Sequence, residues 1–247
     1  LTNGVAYQFQ LVPYRGTPGV DAVYGPLSNI AGATAGGSVP TVTERTTLVT
    51  ETFSVSDGPL AGSWQGGYTV FGGGPTTDLQ VVSARLRAQA TTSDATMTHT
   101  VVLPNDQWCQ TTIVTIAGGG IVAPRCLLRA GLPGELDGYE FAALRGVSGR
   151  TTRIMRWTNG QYTELASENA TTWAGTDVLR GEIQANVLSL YRNEVLLLQT
   201  TDSTYTSGRG GLMMYVTSAL ADSEIDDVNF GGFAVAGSSD PCSCDNH

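Results

Sequence analysis

Between Asp177 and Phe230, apolar and polar residues alternate in runs of strand length, each ended by a polar or glycine-rich reversal. In VLRGEIQA, Leu179 and Ile183 fall on one side with Gly181, while Arg180, Glu182 and Gln184 fall on the other. That is the period of a half-buried strand. In VLSLYRNEVLLLQ, apolar arms at 187–191 and 195–198 flank Arg192, Asn193 and Glu194. A hairpin is expected there, with Asn193 in the left-handed region that a tight reversal needs. In TSGRGGLMMYV, Gly208, Gly210 and Gly211 predict a turn that re-enters a strand at Leu212, and Ile225, Val228 and Phe230 predict a closing strand. Upstream, 70–71, 79–82, 84–90, 97–103 and 111–116 read as short strands, with a turn at 118–120. That glycine triplet is not a phosphate loop, because no Lys-Ser/Thr pair and no helix signal follow it.

The first 36 residues predict two strands joined by a long loop, with Tyr7, Phe9 and Leu11 on one face and Val5 offset from them. So short a segment does not bury its own apolar face. GGSVPTVTERTT then lacks apolar periodicity and reads as a linker. The expected organisation is a strand pair over 1–36, a linker over 37–47, a sandwich over 48–236 and a polar tail over 237–247.

Composition agrees with an all-β chain: 41% of the 247 residues are apolar, enough for a sizeable core, and 31 are glycine, which suits short strands with many turns. No run approaches the roughly 18 apolar residues of a membrane-spanning helix. A formal net charge of -9 argues against nucleic acid and anionic lipid as partners, since both are attracted by a basic field. All 13 basic residues are arginine, the bias of a GC-rich coding sequence. Because Leu1 is not an initiator methionine, a processed or longer product is expected.

The order of these runs resembles the concanavalin A-like, or laminin G-like, jelly-roll modules. The residues that carry the likeness are TETFSVSDGPLAGSW at 50–64, CLLRAGLPGELDGYEFAAL at 126–144, the hairpin around Asn193, TSGRGGL and the IDDV strand. The resemblance implies an antiparallel two-sheet jelly-roll sandwich. The first segment resembles the last two strands of a fibronectin type III domain, in which a Leu six residues before a Tyr, here Leu1 and Tyr7, marks a corner. Tandem modules of these two kinds resemble tail, fibre and decoration proteins of tailed phages and secreted bacterial glycan-binding proteins. The expectation is therefore a non-enzymatic binding module, in a virion or secreted, with a host-surface glycan and other virion proteins as partners and homo-oligomerisation open. The rival expectations are a glycan hydrolase on the same fold and a purely architectural virion component.

Candidate chemistry is sparse. His99 and His247 are the only histidines and no G-x-S-x-G elbow is present, so a nucleophilic triad has little to stand on. Glycanases that the resemblance brings in carry E-x-D-x-x-E. Glu224, Asp226 and Asn229 approach it, but Asn229 replaces the second of the two carboxylates, and the strand reads as the last of the sandwich, not a mid-sheet one. Some relatives hold calcium near the terminal strands, which makes Asp226 and Asp227, with Glu51 or Asp57, one candidate site; a solvated strand end is the other reading. Cys109 and Cys126 flank the glycine triplet as a candidate disulfide that is about three residues out of register for a single ladder. Cys242 and Cys244, near His247, have metal-binding or cross-linking spacing in a stretch that also reads as a frayed tail. For ligand contact, Trp157, Tyr162 and Trp173 lie near Arg153, and Arg153, Met155 and Trp157 share one face of a strand. Aromatic faces stack on sugar rings and arginine bonds hydroxyls, so these four are the candidate glycan contacts. The competing reading buries both tryptophans as packing residues.

Overall fold

A computed structural model describes residues 6–9, 13–17, 20–24, 31–34, 43–70 and 74–235, and divides them between two compact units. In the unit that holds the first residues, β1 (Ala6–Phe9) pairs antiparallel with β4 (Ala31–Thr34), Ala6 opposite Thr34. Between them, β2 (Tyr14–Arg15) pairs with β3 (Val23–Tyr24). These are the two expected strands and their long loop. The Leu1 corner, Cys242, Cys244 and His247 lie outside the described residues.

The second unit, Glu44–Ala234, is an antiparallel sandwich. Its strands in chain order are β5 (Thr43–Glu51), β6 (Gly58–Pro59), β7 (Trp64–Gln65), β8 (Thr69–Val70), β9 (Gly74–Pro75), β10 (Leu79–Val82), β11 (Arg85–Ala88), β12 (Asp94–Leu103), β13 (Gln107–Ile116), β14 (Val122–Ala130), β15 (Gly138–Ala143), β16 (Thr152–Thr158), β17 (Gln161–Glu168), β18 (Val178–Gln184), β19 (Val187–Arg192), β20 (Val195–Thr201), β21 (Gly208–Val216) and β22 (Ser223–Val235). Sheet I has the order β20-β19-β18-β13-β22-β11-β10-β6, with β5 also on β22. Sheet II has the order β17-β16-β15-β14-β21-β12-β7, and β8 and β9 form a separate two-stranded piece. The fold is the expected jelly-roll class.

Period-two patterning fills the interior from both sheets. Leu179, Ile183, Ile225 and Phe230 enter from sheet I and Phe141, Ile154, Leu212 and Met214 from sheet II, all fully buried in one core. The β19–β20 hairpin turns as its sequence predicts. Asn193 and Glu194 have φ of 50° and 68°, the pair of left-handed residues that a two-residue reversal requires. Asn193 also accepts the Val178 N–H at 2.8 Å through its side-chain oxygen.

Four expectations change. Strand β5 reaches back through 43–47, part of the stretch read as linker, because Arg45 anchors it to Glu194 at 3.1 Å and lies over the Trp108 ring at 5.7 Å. Gly208, Gly210 and Gly211 belong to β21 itself instead of a turn before it; a Cβ on Gly210 would stand 2.3 Å from the Phe230 ring, so close approach, not reversal, demands glycine there. Strand β22 is last in the chain yet mid-sheet, between β13 and β11. Finally, Cys109 and Cys126 are not disulfide-bonded: β13 and β14 lie in different sheets, and the two buried free thiols meet across the interior. Burial, with the Cys126 thiol beside it, pushes the Cys109 thiol well above its ordinary pKa, as befits an inert core cysteine.

A chain beginning at Val39 keeps β5 and the whole sandwich core, so it is expected to unfold in a single cooperative transition with a midpoint close to that of the full chain. Thermal unfolding followed by circular dichroism tests this, and a lost or broad transition would assign residues 1–36 to the sandwich.

Candidate functional site

Strands β12, β14, β15, β16 and β21 send alternate side chains outward from sheet II, and their register sets those residues in rows. Thr96, Met213, Arg125, Ala142 and Arg153 are successive cross-strand partners. The row on one side is Asp94, Tyr215 and Ala123. The row on the other is Leu127, Glu140 and Met155, and beyond it Trp157 stands opposite Tyr162. Part of this face is roofed: Tyr68 and Leu136 pack on Leu127, Met155, Trp157 and Met213, with the Tyr68 hydroxyl 2.6 Å from Thr98 Oγ1 and donating to the Gly131 carbonyl at 2.9 Å. The unroofed part is a cleft of about 340 Å³ lined by Asp94, Ile121, Arg125, Leu144, Val147, Arg153, Met155, Trp157, Tyr162 and Tyr215.

A buried charge network runs beneath the cleft. Glu140, fully buried, accepts the Trp157 indole N–H at 2.8 Å and lies 3.4 Å from Arg125 Nε and 3.5 Å from Arg153 Nη2. Arg125 donates to Asp94 at 2.9 Å. Burial pushes the Asp94 carboxyl above its ordinary pKa, with Arg125 opposing the shift. For Arg125, burial pulls downward, but Glu140 and Asp94 outweigh it and raise the pKa, so this guanidinium stays charged. Rings flank both cations: Arg125 lies 5.9 Å from the Tyr215 centroid and Arg153 5.9 Å from that of Tyr162. Arg125 Nε and Arg153 Nε are both buried without a hydrogen-bond partner. Tyr162 is 60% exposed and meets Trp157, which is only 4% exposed, edge-on at 5.6 Å.

Three of the four residues expected to contact a glycan, Arg153, Trp157 and Tyr162, line this one cleft. Trp173 does not. It sits on the connection from β17 in sheet II to β18 in sheet I, which drops the indole into the core, where Nε1 donates to Thr152 Oγ1 at 3.0 Å. Asp94, Arg125, Glu140 and Tyr215 were not singled out from sequence. Each reads locally as an ordinary polar alternate or loop residue, and only the register of four strands, β12, β14, β15 and β21, brings them together.

The acidic candidates on β22 lie on the other sheet. Glu224 is held by Arg87 at 2.7 Å, Arg85 at 3.4 Å and the Thr115 hydroxyl at 3.2 Å, and Asn229 accepts from Thr50. Asp226 accepts the N–H of Asp227, which occupies a left-handed position, and burial raises the Asp226 pKa. The proposed helpers are engaged elsewhere, Glu51 3.8 Å from His99 and Asp57 accepting the Ser83 N–H at 2.8 Å. Among the described residues no group of three or more His, Cys, Asp or Glu side chains forms that could hold a metal ion.

No protein-family model and no curated protein matches the sequence. Among solved structures, carbohydrate-binding module CBM66 from Bacillus subtilis superposes with a TM-score of 0.52 at 14% identity, covering 69% of this chain and 93% of its own. A prokaryotic β-1,3-1,4-glucanase (lichenase) from a mouse hindgut metagenome gives 0.52 at 13%, covering 74% and 98%. The CBM2 module of the evolved Dit protein of Lactobacillus casei BL23 phage J-1 gives 0.53 at 10%, covering 76% and 96%. At these identities the likeness is one of fold.

Proposed function

We propose that the sandwich is a non-catalytic carbohydrate-binding module whose ligand lies in the sheet II cleft. The observation that carries this reading is the cleft itself, where an exposed aromatic, Tyr162, stands beside Arg153, whose guanidinium makes one long 3.5 Å contact to Glu140, above a fixed network of carboxylates. A sugar ring needs one apolar face to stack on and directional donors at its rim, and this constellation offers both. The names of CBM66 and the phage CBM2 module support the same ligand class. The phage module also supports a place on a virion surface, where the protein holds host-surface glycan and is held by other virion proteins.

Hydrolysis is the rival reading, favoured by the lichenase likeness and by the presence of Asp94 and Glu140 near one another's arginine partner. Retaining hydrolysis needs one free nucleophilic carboxylate and one proton donor. Glu140 is fully buried under an indole N–H and two guanidinium groups, leaving it no open face for a glycosyl carbon. Incubation with host wall polysaccharides is therefore expected to produce no new reducing ends. Release of oligosaccharide that disappears in Asp94→Asn or Glu140→Gln would overturn the binding-only reading.

A further inference from the structure

The cleft is chemically two-sided. Opposite Tyr162 and Arg153, it is walled by Ile121, Leu144, Val147 and the ring of Tyr215. Leu144, Val147 and Tyr215 pack with Ala123 and Ala142 in one small apolar cluster separate from the main core. Ala142 lies in the row directly between Arg125 and Arg153 and is fully buried within that cluster. The wall is fixed in place: Arg145, next to Leu144, exchanges two backbone hydrogen bonds with Val122, at 2.9 and 3.0 Å.

Water gains little in such a bay, whose lining offers few polar partners, and a hydroxyl placed there would lose hydrogen bonds on desolvation. A methyl group would not. The nearest cations differ in what they have left to give. Arg125 donates to Asp94 through Nη1 and its side chain is only 5% exposed, whereas Arg153 makes one long contact to Glu140 and its side chain is 14% exposed. The substituent that meets both conditions at once carries a methyl next to a hydrogen-bond acceptor.

We infer that the glycan taken by this cleft carries an acetamido group, its methyl in the Leu144–Val147–Tyr215 bay and its carbonyl oxygen accepting from Arg153, while the sugar ring rests on Tyr162. The inference rests on the carbohydrate-binding reading of the same cleft and narrows it to N-acetylated hexosamines.

Isothermal titration of the full chain with chitotriose and with cellotriose tests it, because the two trimers share ring and linkage and differ at the acetamido position. Chitotriose is expected to bind at least about tenfold more tightly, the discrimination that a methyl-sized apolar contact provides in a preformed pocket. Val147→Asp, a change on a half-buried loop residue, is expected to erase that preference while the chain still unfolds in one cooperative transition, and Arg153→Gln to weaken chitotriose more than cellotriose. Equal binding of the two trimers, or tighter binding of cellotriose, overturns the acetamido assignment and leaves carbohydrate binding standing. Tighter binding of a rhamnose or fucose oligosaccharide than of chitotriose overturns it in favour of a 6-deoxy methyl in the bay. If neither trimer binds while some other glycan binds in a Tyr162-dependent way, the inference falls alone. If no glycan in a broad panel binds, the carbohydrate reading falls with it.

Discussion

Glu140→Ala is expected to destabilise the sandwich by about 3–5 kcal/mol, as removal of one partner from a buried ion pair does. Glu140 is fully buried, accepts from the Arg153 guanidinium and the Trp157 indole, and is ion-paired with Arg125 at 3.4 Å. Without it, Arg125 keeps only Asp94, whose own carboxyl burial already pushes toward the neutral form. The indole N–H would also be left buried and unbonded, a further cost of about 1–3 kcal/mol that overlaps the first. Glu140→Gln separates the two contributions: its amide oxygen still accepts from Trp157, but it offers the arginines no counter-charge, so an intermediate loss is expected. Urea unfolding monitored by tryptophan fluorescence gives both values. A Glu140→Ala variant within 1 kcal/mol of the parent, the lower end of what an unsatisfied buried donor costs, would mean that the network is wet and the cleft floor not built as described.

Glu140 also marks where the sequence stops being informative. The β19–β20 hairpin was readable because its apolar arms flank a local reversal at Asn193, whereas the alternation in β18 hides that its polar face, with Arg180 and Glu182, is buried as well. Glu140, in GYEFAAL, has the same local look as any solvent-facing alternate residue, and nothing within the strand says that two guanidinium groups and an indole N–H converge on it from β14 and β16. Sheet membership was equally hidden. Cys109 and Cys126 lie 17 positions apart across a glycine triplet, the spacing of a hairpin, yet the connection crosses between sheets and turns a candidate ladder pair into two opposed core thiols. Gly181 shares the apolar side of its strand with Leu179 and Ile183; a Cβ there would stand 2.5 Å from the Phe141 ring, which belongs to the other sheet. The mixed face of Arg153, Met155 and Trp157 was legible as a face, and its mixture has a cause: Tyr68 and Leu136 roof one end while the other stays open.

That roof decides how the three aromatic candidates divide. Trp157→Ala is expected to cost about 3–5 kcal/mol, because a 4%-exposed indole packed on Met155, Leu136 and Tyr68 leaves a cavity that its neighbours fill only in part. Trp173→Ala belongs in the same class, its ring being buried in the main core against Thr152 and Arg192. Tyr162→Ala is expected to behave in the opposite way. Its ring is 60% exposed and buries little area, so the melting temperature should hold, while most of the affinity for glycan or host cells is lost with the stacking face. Melting curves and cell-surface binding of the three variants, measured side by side, separate packing from contact. The cleft loses its assignment if Tyr162→Ala binds as the parent does, or if Trp157→Ala melts normally and loses only binding, since the indole would then be the ligand's platform and not the support beneath Tyr162.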